Sequence, residues 1–218
     1  MKIAIVGAGI SGLGCAYALS KLDNCEVTLY EGGNHIGGHS NTVDLTLDTP
    51  LGKVSHGVDT GFLVFNQRTY PRLIRLFHEI DVEIAKSDMS FSVSIPKHNG
   101  DVLEWSGTSI DSLFAQRKNI LSPSFLRMVK DIIRFNRICT KLAADKQLDE
   151  IDLTVGEFIK KHRFSQQFQD WYFLPMIGAI WSCSVDQMLE FPIQTMVRFC
   201  HNHGLIQVTN RPQWFSVV

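Results

Sequence analysis

Three features of the sequence predict an α/β fold. The β-branched run Lys2–Val6 leads directly into Gly7-Ala8-Gly9-Ile10-Ser11-Gly12 and then into a stretch of alanines and leucines at helical spacing. A second strand-like run, Glu26–Tyr30, ends on an acid, Glu31, 19 residues after Gly12. From Thr69 onward the pattern turns mainly helical, with a short group of strands inside it. Strand, glycine turn, helix and strand make a Rossmann-like βαβ unit, and the remainder reads as α+β, mainly helical.

The first sixty residues carry the chemistry. The predicted helix covers Leu13 to Leu22. Gly7 permits a tight turn out of the strand, Gly9 lets a pyrophosphate approach the backbone, and Gly12 lets helix and sheet pack closely. Free N–H groups at the helix N-terminus, around Ala8, Ile10 and Ser11, then face the phosphates. Glu31 stands where a carboxylate accepts hydrogen bonds from ribose hydroxyls. It would repel a 2′-phosphate, which disfavours NADP. The competing reading is a glycine-rich turn in an unrelated α/β domain. Strand before, helix after and acid at the right distance all favour dinucleotide binding.

A second glycine pair follows in Gly37-Gly38-His39, placed to approach an extended cofactor. Thr42–Leu47 and Lys53–Val58 alternate about the turn Thr49-Pro50-Leu51-Gly52, which predicts a β-hairpin. It ends in Asp59-Thr60-Gly61-Phe62. By themselves these residues could be no more than a turn, with Asp59 capping it.

Composition excludes several classes. The chain has 218 residues, 21 basic and 22 acidic groups, and a net charge of −1, against the strong basic excess of a nucleic-acid binder. A hydrophobic share of 44%, with 14 Phe, 4 Tyr and 4 Trp, excludes disorder. No apolar run reaches the roughly 20 residues of a bilayer span. Five scattered cysteines without a CxxC argue against disulfides and structural zinc, and for a reducing, cytoplasmic setting. Cys200-His201-Asn202-His203 is a poor metal site, since helical residues two apart face different ways.

In the remainder, Thr69 to Glu79 reads as a helix with Pro71 in its first turn. Ser90–Ile95 and Val102–Trp105 flank Asn99-Gly100 and should pair as a hairpin. Ser124 to Leu142 is an amphipathic helix. Its apolar set (Phe125, Met128, Ile132, Phe135, Cys139, Leu142) lies two positions, about 200°, from its basic set Arg127, Lys130, Arg134, Arg137 and Lys141. That basic stripe is either the solvated face of a core helix or a surface for anionic lipid headgroups, giving peripheral membrane attachment. It lacks the interleaved aromatics of a nucleic-acid surface. The aromatic-rich stretch Ser165 to Ser182, in which Pro175 should kink or break the helix, is either core or pocket wall.

The segment IAIVGAGISGLGCAYALSKLDNCEVTLYEGGNHIGGHSNT resembles the N-terminus of the flavin amine oxidase superfamily, whose pattern is Gly-x-Gly-x-x-Gly, an acid, then Gly-Gly-Arg and a Thr. His39 stands where that family has Arg. Segments such as DTGFLVFNQRTYPRL, LEWSGT and FLPMIGAIWS resemble FAD-dependent oxidoreductases described as NAD/FAD-binding or amine-oxidase-like proteins. The resemblance implies FAD as cofactor, with Thr60, Gly61 and Phe62 beside the isoalloxazine ring. It implies an FAD-binding domain begun by residues 1–80, an inserted substrate domain at 81–210, and a return to the FAD domain at 211–218. It implies oxidation of an amine or apolar, lipid-like substrate by hydride transfer to flavin. The family runs on past the equivalent of Val218, so the expectation is an N-terminal half, its catalytic residues unassigned. Two alternatives stay open: a truncated or non-catalytic FAD-binding module, and an NAD-dependent dehydrogenase.

Overall fold

The computed structural model describes residues 1–97, 100–144, 146–181, 183–207 and 211–218. Asn99 of the expected hairpin turn, Ser182 at the end of the aromatic stretch, and Asn210 lie outside these. The chain forms two compact units.

The first unit comprises Met1–Phe65, Tyr70–Ser87 and Trp214–Val218. Strands β1 (Lys2–Val6) and β2 (Glu26–Tyr30) pair in parallel, Ile3 against Val27 and Ile5 against Leu29. Helix α1 (Ile10–Ser20) crosses between them. It starts three residues before the predicted Leu13, because the glycine turn itself supplies its first turn. β3 (Thr42–Thr49) and β4 (Gly52–Asp59) form the antiparallel hairpin, in register from Thr42↔Asp59 to Thr49↔Gly52. In a three-stranded sheet, β9 (Trp214–Val217) lies between β5 (Phe65–Asn66) and β6 (Ile84–Ser87). Helix α2 (Pro71–Glu79) begins with proline, whose fixed φ suits a first turn and whose missing N–H is no loss there. Glu79 accepts from Arg75 at 2.9 Å and from Lys21 at 2.8 Å, tying the end of α2 to the end of α1. The buried apolar residues of this unit are Ala8, Phe65 and Trp214. Phe65 packs against the rings of Phe62, Phe77 and Phe215.

The second unit, Asn66–Thr69 and Asp88–Gln213, holds the main hydrophobic core. β7 (Ser92–Pro96) and β8 (Val102–Ser106) pair antiparallel. Helices α3 (Ile110–Leu113), α4 (Pro123–Ala144) and α5 (Val155–Lys161) follow, then α6 (Gln166–Phe168), α7 (Leu174–Trp181), α8 (Val185–Leu189) and α9 (Ile193–Asn202). From α4, Phe125, Met128, Phe135 and Cys139 are fully buried. Phe135 is ringed by Phe158, Phe164, Phe168 and Phe173 at centroid distances of 5.2–6.4 Å. The aromatic stretch is therefore mostly core: Phe168, Tyr172 and Phe173 are buried, while Trp171 and Trp181 pack half-buried against them.

One expectation is narrowed and one needs correction. Of the kink or break expected at Pro175, the break does not occur. The chain stays helical from α6 through α7 by inserting a π-helical turn, Gln169–Phe173, just before the proline. A widened turn absorbs the missing donor and the ring's clash with the preceding carbonyl. Arg134 does not stand with the other basic residues of α4. It turns inward, donating to the carbonyls of His162 (2.9 Å) and Arg163 (3.2 Å), with Asp131 at 3.2 Å and the Phe164 ring 4.4 Å away.

Candidate nucleotide-binding site

The three glycines of the first turn are held by three different constraints. Gly7 has φ +96°, a left-handed conformation costly for a residue with a side chain. At Gly12 a Cβ would fall 1.9 Å from the Gly7 carbonyl oxygen, so helix and turn are in backbone contact. Gly9 differs. Its backbone is extended, with φ −77°, and a Cβ would meet nothing closer than Gly38 Cα at 3.9 Å. No contact among the described residues requires glycine there, so the space beside it can admit a ligand. Gly9 is also the N-cap of α1, with no side chain capping the helix. The orphan N–H groups of the first turn remain for an anion.

Ala8, fully buried, joins the site together. Its N–H donates to Glu31 Oε2 at 2.7 Å, and its carbonyl accepts the Gly37 N–H at 2.8 Å. Glu31 Oε1 accepts the Gly33 N–H at 2.8 Å. Hydrogen bonds from Ala8 first, then Gly33, hold the Glu31 carboxyl below the usual glutamate range, so it is ionised at neutral pH. Glu31 is exposed, and each oxygen, accepting one N–H, keeps acceptor capacity for a further donor such as a ribose hydroxyl.

The second glycine pair lies on the first turn. Gly9 and Gly37 form a parallel bridge, and a Cβ on Gly38 would fall 3.0 Å from Gly9 Cα. Gly37 and Gly38 have φ +125° and +62°. The hairpin end closes on the same place. Thr60 donates both its N–H (2.9 Å) and its hydroxyl (2.8 Å) to the Asn41 carbonyl. A Cβ on Gly61 would sit 1.7 Å from the His39 carbonyl oxygen. Asp59 is used within the hairpin, accepting the Thr42 hydroxyl at 2.6 Å.

Gly7–Gly12, Glu31, Gly37–His39 and Thr60–Gly61 thus form one backbone-lined site. Ile10, Ser11 and the His39 side chain are exposed at it. Phe62, 41% exposed, leans on Phe65 and Tyr70 at ring distances of 6.4 and 5.7 Å. Sequence reasoning missed Asn41 and Ser40. Their contribution is a carbonyl oxygen each, against Thr60 and against the space beside Gly37, and no side-chain pattern signals that. Among the described residues no three His, Cys, Asp or Glu side chains come together as metal ligands. Cys200 points into the core, and His203 stacks on Phe199 at 4.0 Å.

Residues 5–80 match the family model of an NAD(P)-binding Rossmann-like domain. Comparison with curated protein sequences gives no match. The fold is similar to that of putrescine oxidase bound to putrescine, with TM-score 0.62 at 16% identity over 100% of this chain and 46% of that one. A triple mutant and a double mutant from the same redesign of that enzyme's cofactor binding give TM-scores of 0.63 and 0.61, each at 18% identity and the same coverage. The chain spans a little under half the length of these solved structures.

Proposed function

We propose that this chain binds FAD and serves an amine-oxidase-like oxidoreductase acting on an amine or an apolar, lipid-like substrate. The observation that carries the reading is a chain of backbone contacts between three separated segments: Gly38 lies on Gly9 at an uncapped helix end, and Gly61 lies on His39, the residue after Gly38. A mononucleotide would use the first turn alone. Three backbone-lined segments suit a longer, two-part cofactor.

In this reading the first turn of α1 takes the pyrophosphate and Glu31 the adenosine ribose. Gly37, Gly38 and His39 line the second phosphate, and Thr60, Gly61 and Phe62 border the isoalloxazine ring. Bound FAD would supply a two-electron acceptor for hydride, and the chain would supply position and fixed dipoles. The likeness to putrescine oxidase supports an amine as one substrate class.

Flavin-fluorescence quenching on the 218-residue chain tests the reading. Saturable binding of one FAD, with NAD⁺ failing to compete, is the expected result. Binding of NAD⁺ in preference to FAD would replace it with a nicotinamide-dependent dehydrogenase. Anaerobic bleaching of the flavin band by a diamine or a long-chain lipid, without added NAD⁺, then separates the two substrate classes.

A further inference from the structure

We propose that the outer face of α4 is a docking surface for an anionic lipid bilayer. At 100° per residue, Leu126, Lys130, Ile133, Arg137 and Lys141 fall within an arc of about 80° opposite the buried Met128 and Phe135. Arg127 lies about 40° beyond that arc and is also exposed. The only acid of the helix, Asp131, is buried and faces Arg134, so the outer face is purely cationic in its charge. None of Arg127, Lys130, Arg137 and Lys141 has an ion-pair partner among the described residues. Neighbouring cations differ: Arg117 pairs with Asp111 and Lys118 with Asp101.

Apolar side chains are interspersed with the cations on this face. Here Leu126 is 44% exposed, Ile133 54%, and Leu121, on the chain entering the helix, 86%. An open, mainly apolar groove of about 510 Å³ on this side of α4 is lined by Ile133, Asn136, Arg137, Thr140, Lys141 and Ala144, with Ile206. Cations beside apolar side chains complement a lipid phosphate and the first carbons beneath it. The 22-residue helix, about 33 Å long, can lie flat in the headgroup plane. No helix among the described residues is long and apolar enough to cross a membrane, so the attachment inferred is peripheral. No aromatic side chain lies on this face to stack on bases.

Co-flotation of the full chain tests this, using vesicles of phosphatidylcholine with and without phosphatidylglycerol. Binding is expected only with phosphatidylglycerol, and should be lost when salt is raised from about 0.1 M to about 1 M. The triple variant K130Q/R137Q/K141Q should lower the partition coefficient on the order of a hundredfold. K53Q/K86Q/K160Q removes equal charge elsewhere and should change it little. L126S/I133S should weaken binding while leaving the salt dependence. Thermal melts establish that each variant is folded. Equal loss in both triple variants would overturn the proposal, as would absent or lipid-independent flotation. Tighter, face-dependent binding to a single-stranded oligonucleotide would overturn it in favour of nucleic acid.

Discussion

Gly61 lies directly over His39, close enough that a single added methyl would overlap the His39 carbonyl oxygen at 1.7 Å. This contact seats the end of the β3–β4 hairpin on the second glycine loop, and Thr60 reinforces it through Asn41. Gly61→Ala must push the two segments apart, at a cost of about 1–3 kcal/mol. FAD affinity should fall at least roughly tenfold, since that displacement opens the proposed flavin side. Fluorescence titration checks this, and an unchanged affinity would remove Thr60–Phe62 from the site.

Gly9 and Gly12 should separate folding from binding. Gly12→Ala forces a Cβ to within 1.9 Å of a backbone oxygen and should destabilise the protein by about 1–3 kcal/mol in urea unfolding. Gly9→Ala meets only ordinary contacts, so its stability should change by no more than about 1 kcal/mol. Its FAD affinity should nevertheless drop, because the methyl occupies the space left for a phosphate. Equal effects of the two substitutions on stability would show that Gly9 serves the fold alone.

The first turn was legible in the sequence because steric demand singles out residue type: only glycine fits at Gly7 and Gly12. The α/β class followed from the same run. The Rossmann-like fold it predicted is the one matched over residues 5–80. Asn41 was illegible because its contribution is a carbonyl oxygen, common to every residue. Arg134 was misread because it stands at the border of the exposed arc of α4. Only the tertiary approach of the His162–Arg163 turn decides which way it points. Pro175 signalled a disturbance, but not whether the chain would stop or widen by a π turn.

Glu31 should give the site a one-sided pH dependence. Its carboxyl lies below the ordinary 4.5, held there by the Ala8 and Gly33 N–H groups. Binding that needs the ionised carboxyl is undiminished above that carboxyl's value in the ligand-free protein and is lost as pH falls through it. FAD affinity should therefore be flat, with respect to this group, down through the ordinary glutamate range and should decline only below it. Glu31→Gln should weaken binding on the order of tenfold at neutral pH and abolish that acid-side decline. A decline that persists in Glu31→Gln would assign it to another group.

Asp131 gives a test confined to the second unit. It is 6% exposed, and its Oδ2 accepts the Ser165 N–H at 2.9 Å while Oδ1 faces Arg134 at 3.2 Å. Ser165 in turn caps α6, its hydroxyl accepting the Phe168 N–H at 3.3 Å. Arg163, at φ +51°, makes the sharp corner, and Arg134 holds it by the carbonyl. Asp131→Ala leaves the part-buried Ser165 N–H without its acceptor and the half-buried Arg134 guanidinium, still bonded to two carbonyls, without its counter-ion, so it should cost about 2–3 kcal/mol. Asp131→Asn keeps the acceptor for Ser165 and should cost roughly half as much. Urea midpoints at constant m-value measure both. A double cycle with Arg134→Ala should show coupling of about 1 kcal/mol or more. Additive losses would mean that Asp131 acts through Ser165 alone.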